Sequence, residues 1–126
     1  GVIIVKNNKI LLMLRKKPSE WSIPGGKVEL NEKSEDTAIR EIKEELGIDI
    51  KIRKFLTLTE TFNNGMHWIS IVYVADIVKG EPRVMEPEEH ADVKWFSLND
   101  LPENQFLPSK LAIEFYKKKL LRKGNY

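Results

Sequence analysis

The chain has 126 residues, 41% apolar and 32% charged, with a net charge of +2. That length and balance favour one compact soluble domain over residues 1–126, with its own core and no global field toward nucleic acid or membrane. Cysteine is absent, which excludes disulfides, Cys-ligated zinc and a thiol nucleophile.

No apolar run approaches the length of a bilayer span and no secretory hydrophobic segment is present, so a cytoplasmic protein is expected. The sequence begins at Gly1 rather than Met, so some N-terminal residues are expected to be missing. In chain order, Val2 to Val5 and Ile10 to Leu14 are short apolar runs around the turn signal Lys6-Asn7-Asn8-Lys9, which reads as a hairpin. Pro18 to Gly26 is rich in proline and glycine and reads as a loop. Ser34 to Leu46 has helical periodicity. Ser34 is the expected N-cap, Glu35 and Asp36 sit in the first turn, and Gly47 follows the last turn.

Lys51 to Phe62 and His67 to Val78 are strand-like and flank Asn63-Asn64-Gly65, a second hairpin. Lys79 to Pro82 breaks the pattern, and Met85 to His90 is an acidic loop. Val93 to Phe96 reads as a short strand and Ser97 to Pro102 as a single helical turn. Pro108 and Ser109 open a last helix, with Leu111, Phe115 and Leu120 on its apolar stripe. Lys117, Lys118, Lys119, Arg122 and Lys123 read as its solvated face. The irregular alternation implies a mixed sheet with helices on both sides, within the α/β class.

The central helix carries the chemistry. On a wheel of about 100° per residue, Ala38, Ile39, Ile42 and Leu46 share the core-facing arc, and Glu41, Glu44 and Glu45 share another. Each like-charged neighbour costs about 0.2–0.5 kcal/mol on an exposed helix. Such a face is either solvated surface or a site for a hard cation, because carboxylate oxygens suit Mg²⁺ or Mn²⁺ and the cation removes the repulsion. With no histidine near the cluster in sequence, zinc and copper are disfavoured. The preceding Pro24-Gly25-Gly26 favours the cation reading, since glycines let a bulky ligand approach the backbone.

Written out, the segment is Gly26, five residues, Glu32, seven residues, then Arg40-Glu41-Ile42-Lys43-Glu44-Glu45-Leu46-Gly47-Ile48. It resembles the Nudix box at every defined position of that motif. The order of the flanking hairpins and closing helix is similar to the rest of that family. The resemblance implies an α/β/α sandwich around a mixed β-sheet. It also implies Mg²⁺- or Mn²⁺-dependent hydrolysis of a nucleoside diphosphate linked to another moiety. By match to the motif, Glu41, Glu44 and Glu45 are the expected metal-binding carboxylates, and the Gly25 carbonyl is an additional ligand. Glu32 and Arg40 are the supporting pair beside Gly26. Glu44 or Glu41 is the expected general base. Glu86, Glu88 and Glu89 are candidates for an extra acid or ligand, against the alternative of an exposed acidic loop.

The substrate is less well specified. Within this family a proline about 15 to 17 residues beyond the box marks ADP-ribose hydrolysis and a tyrosine marks diadenosine polyphosphates. Asn63, Asn64 and Gly65 stand there instead. The entry LLMLRKKPSEWSIPGG and the segment KWFSLNDLP look like MutT-type nucleoside triphosphatases. ADP-ribose or nucleotide-sugar hydrolysis is the alternative, and a non-catalytic nucleotide-binding module a third reading. Lys110 only donates hydrogen bonds and stands where oxidised-purine members carry an amide or acidic side chain. Trp21, His67, Trp68, Tyr73 and Phe106 are candidate stacking partners for a base, and Arg15, Lys16 and Lys17 candidate phosphate contacts; core packing and a solvated strand end are the bland alternatives. A small nucleotide is the expected partner and a homodimer stays open. A nucleic-acid partner would need a broader basic surface than the C-terminal lysines offer.

Overall fold

The computed structural model describes residues 1–123. It contains β1 (Val2–Lys6), β2 (Lys9–Arg15), β3 (Trp21–Ser22), α1 (Ser34–Leu46), β4 (Asp49–Asn63), β5 (Met66–Lys79), β6 (His90–Ser97) and α2 (Leu107–Lys123). The strands form one sheet in the order β3-β2-β1-β5-β4, with β6 also paired to β2. β1 runs parallel to β5, and the other pairings are antiparallel, so the sheet is mixed.

Both faces of the sheet are covered, which explains the unbroken apolar runs in β1 and β2. Val2, Ile4, Leu11 and Met13 pack with Ala38, Ile42 and Leu46 of α1. Their neighbours Ile3, Ile10 and Leu12 point the other way and pack with Ala112, Ile113 and Tyr116 of α2. This is the expected α/β/α arrangement. No described helix is long and apolar enough to cross a membrane.

The two hairpins owe their tightness to asparagine and glycine. Asn7 and Asn8 join β1 to β2 with φ of 52° and 62°, and Asn64 and Gly65 join β4 to β5 with φ of 51° and 74°. Positive φ at both central residues is the turn whose twist matches that of paired strands.

Several local expectations differ from the structure. Lys33, in extended conformation, caps α1 without a side-chain bond, and Ser34 lies inside the helix with its Oγ 2.6 Å from Tyr73 Oη. The buried stripe of α1 is rotated toward its polar side: Thr37 and Glu45 are buried with Ala38, Ile42 and Leu46, whereas Ile39 is exposed. The reason is that both polar groups have partners. Thr37 Oγ1 donates to Glu32 Oε1 at 2.7 Å, and Glu45 Oε1 accepts from the Gly25 N–H at 3.1 Å.

In α2 the buried positions are Pro108, Ser109, Ala112, Ile113 and Tyr116, and Leu111 is exposed. Lys123 ends the described part of this helix, and its side chain lies outside what is described. Ser97 to Pro102 is a hydrogen-bonded turn, closed by Asp100 N–H to the Ser97 carbonyl at 3.0 Å, rather than helix. β6 begins at His90, three residues earlier than its apolar pattern, because the ladder to β2 extends to an Arg15–His90 pair past a bulge. The short β3 is held from both sides: Trp21 and Ser22 pair with Leu14 and Met13, and Phe106 N–H donates to the Trp21 carbonyl at 2.8 Å.

Candidate active site

α1 packs Ile42 and Leu46 into the sheet, and this fixes the direction of the carboxylates beside them. Three backbone arrangements then converge on its C-terminal half. The loop at Gly25 donates to Glu45. The segment after β5 is fastened to the end of α1, with Arg83 N–H on the Leu46 carbonyl and Met85 N–H on the Glu45 carbonyl, both at 3.1 Å. A turn then brings His90 N–H to the Glu86 carbonyl at 3.0 Å. These bonds carry Glu86 and His90 to Glu45.

Arg40 is the hub of the more exposed half of the site. Its Nε and Nη2 donate to Glu32 Oε2 and Oε1 at 2.7 and 3.0 Å, a two-pronged pairing that a planar guanidinium suits. Its Nη1 reaches Glu41 Oε1 at 2.9 Å and Glu44 Oε1 at 3.0 Å. The bond from Arg40, with that from Thr37, lowers the Glu32 pKa to about 2. The same partners, Glu32 first, raise that of Arg40. Arg40 thus holds Glu41 and Glu44 in place and offsets their repulsion. Gly26 is required beside them, since any Cβ there would collide with Cγ, Cδ and Oε2 of Glu41.

Glu45 behaves differently because it is buried, with 8% exposure. Burial pushes its pKa up to about 8; the Gly25 N–H opposes the rise, and Glu41 and Glu86 add to it. Burial likewise raises Glu86, with Glu88, Glu41 and Glu44 contributing. Burial lowers the His90 pKa, against the opposing pull of Glu89 and Glu88, which favours the neutral imidazole. Ligand atoms of Glu45, Glu86 and His90 all lie within 4.8 Å of one another. Among the described residues His90 Nδ1 is buried without a hydrogen-bond partner. An imidazole beside two carboxylates is a donor set that fits a divalent cation.

A cavity of about 460 Å³ opens onto this group. Glu45, Glu86, Glu89 and His90 line it, as do Arg15, Lys27, Trp68 and Phe106. The Arg15 guanidinium lies 4.0 Å from the Phe106 ring centroid, and Trp68 meets Phe106 edge-on at 6.5 Å. Of the other residues singled out from sequence, Glu41 and Glu44, held by Arg40, do not line this cavity, nor do Lys16, Lys17, Glu88, Trp21, His67 and Lys110. Trp21 packs edge-on against Phe96. His67 stacks on Phe62 and meets Glu60 Oε2 at 2.6 Å on the long hairpin. Tyr73 lines a second cavity, of about 320 Å³, together with Ser34 and Thr37.

The model of the NUDIX domain matches residues 1–118. The chain belongs to the Nudix family. A protein of Methanocaldococcus jannaschii named ADP-ribose pyrophosphatase is 36% identical over 118 residues, covering 90% of this chain and 69% of that protein. A Bacillus subtilis protein named uncharacterized Nudix hydrolase YvcI is 34% identical over 112 residues, 84% of this chain and 69% of its own. The crystal structure of a MutT Nudix hydrolase from Burkholderia pseudomallei matches with a TM-score of 0.86 and 40% identity, covering 90% of this chain and 92% of that one. This Nudix chain is therefore a pyrophosphohydrolase of nucleotide-linked substrates, in a family that works with a divalent metal.

Sequence reasoning passed over His90. The signal was present in Glu86 and His90, four residues apart in an acidic loop, but their approach to Glu45 depends on the loop's bonds to α1.

Proposed function

We propose that this Nudix hydrolase cleaves a nucleoside or deoxynucleoside triphosphate to the monophosphate and pyrophosphate. The observation that carries this reading is one cavity lined both by Glu45, Glu86 and His90 and by Arg15, Trp68 and Phe106. It offers an aromatic wall for one base and a carboxylate-rich wall for cation-bridged phosphates. Bound there, Mg²⁺ or Mn²⁺ supplies charge neutralisation at the phosphate oxygens.

The chain's own residues do the rest. Phe106 and Trp68 stack the base. Arg15 and Lys27 draw in the phosphate chain. Arg40 fixes Glu41 and Glu44, a reading its bonds to both support. Glu44, with 46% of its side chain exposed, is open to water and takes the proton as the water oxygen attacks phosphorus. The bond from that phosphorus to the bridging oxygen breaks, and pyrophosphate leaves with the electron pair.

The test is a panel of nucleoside triphosphates, ADP-ribose and nucleotide sugars with Mg²⁺ and with Mn²⁺, products separated by chromatography. Equimolar monophosphate and pyrophosphate from at least one triphosphate is expected, with kcat lowered about 100-fold or more in Glu44→Gln. Release of orthophosphate, or no turnover of any triphosphate, overturns the proposal. ADP-ribose is the second reading, favoured by the 36% identity to the archaeal protein of that name. Preferential formation of AMP and ribose 5-phosphate selects it.

A further inference from the structure

The carboxylates of the motif describe a site for a hard cation, yet the folded chain adds a nitrogen to it. His90 is 45 residues from Glu45 in sequence, and the fold brings the ligand atoms of the two, with one from Glu86, within 4.8 Å of one another. Each residue is positioned by main-chain bonds rather than by the others' charges. Glu45 is buried on α1 against the Gly25 N–H. Glu86 follows Met85, whose N–H is bonded to the Glu45 carbonyl. His90 opens β6 opposite Arg15, at the bulge in the ladder with β2.

Two donors on opposite sides of a cation at about 2.1 Å stand about 4.2 Å apart and adjacent ones about 3 Å, so ligand atoms already within 4.8 Å of one another reach a shared ion by small side-chain adjustments. His90 Nδ1 is buried with no hydrogen-bond partner among the described residues, and an unpaired buried polar atom costs free energy. Arg40 does not fill this role for Glu45, since its bonds go to Glu32, Glu41, Glu44 and the Lys27 carbonyl.

We propose that Glu45, Glu86 and His90 form a mixed nitrogen and oxygen site that selects Mn²⁺ or a later first-row divalent ion over Mg²⁺, with His90 as the selecting ligand. Mg²⁺ favours oxygen donors, whereas an imidazole strengthens binding along the series from Mn²⁺ onward. This extends the reading of Glu45 as a metal ligand, and its test uses no substrate.

The metal-depleted full chain is titrated with Mn²⁺, following the free-ion electron paramagnetic resonance signal, and with Mg²⁺ in competition. Pulsed resonance on the Mn²⁺-loaded protein then reads nitrogen coupling, using protein carrying ¹⁵N-labelled histidine. The chain has two histidines, and His67 is paired with Glu60 on the hairpin between β4 and β5, so His67→Asn serves as the control. The expected result is a histidine nitrogen coupling that survives in His67→Asn and disappears in His90→Ala. Mn²⁺ affinity falls about tenfold or more in His90→Ala, while Mg²⁺ affinity stays within about threefold. Absence of histidine coupling in the Mn²⁺-loaded wild type overturns the proposal, and so does an unchanged ratio of Mn²⁺ to Mg²⁺ affinity in His90→Ala. If that variant does not fold, the labelled wild type and His67→Asn still decide. Nitrogen coupling without nucleotide turnover keeps the metal site and rejects the reaction. Turnover with Mg²⁺ and no coupling does the reverse.

Discussion

Replacing Glu45 with Gln separates what this carboxylate costs the fold from the metal binding proposed for it. In the metal-free protein its pKa stands near 8 instead of 4.5, chiefly through burial. A carboxyl with a raised folded-state pKa gives the fold its full benefit below the unfolded value, where both states are protonated. The benefit is lost as pH rises, because the unfolded chain releases its proton near 4.5 and the folded one only near 8. The corresponding penalty is about 2 kcal/mol at pH 6 and about 4 kcal/mol at pH 8. Gln keeps the shape and a carbonyl oxygen for the Gly25 N–H, and carries no charge. Metal-free Glu45→Gln is therefore expected to match the wild type near pH 4.5, to exceed it by about 2 kcal/mol at pH 6 and by about 4 kcal/mol at pH 8. Urea unfolding with a chelator at the three pH values measures this, provided the slopes agree. Adding Mn²⁺ should stabilise the wild type and leave the variant unmoved, by mass action on a site only one of them retains. A difference that does not change with pH, or a variant less stable than the wild type at pH 8, would refute the reasoning.

Other substitutions probe the parts around it. Gly26→Ala forces the Glu41 carboxylate out of its place, so activity should fall about tenfold or more while the thermal midpoint barely moves, seen by turnover and calorimetry. Arg40→Lys loses the fork to Glu32, and metal affinity by calorimetric titration should drop about 10- to 100-fold with unchanged circular dichroism. The rotation of α1 is testable directly. Ile42→Ala should cost about 2–5 kcal/mol in urea unfolding, and Ile39→Ser less than about 0.5 kcal/mol.

The sequence by itself determined the carboxylate pattern of α1 and the outline of the fold. Gly26, Glu32, Arg40, Glu41, Glu44 and Glu45 are a local pattern on a loop and a single helix, and helical geometry alone places the three motif glutamates together. Asparagine and glycine at the hairpins, and the apolar runs of β1 and β2, speak for the same reason: the forces that fix them act within a few residues. Ile39 shows where this stops. A wheel gives the width of an apolar arc but not its exact rotation, which the bonds of Thr37 and Glu45 decided. Ser34 looked like a cap and instead meets Tyr73, a residue two strands later in the chain's course. His90 stands furthest from anything the sequence pattern reveals. Its approach to Glu45 requires the segment after β5 to fasten onto the end of α1, a contact between parts of the chain whose separation no periodicity spans.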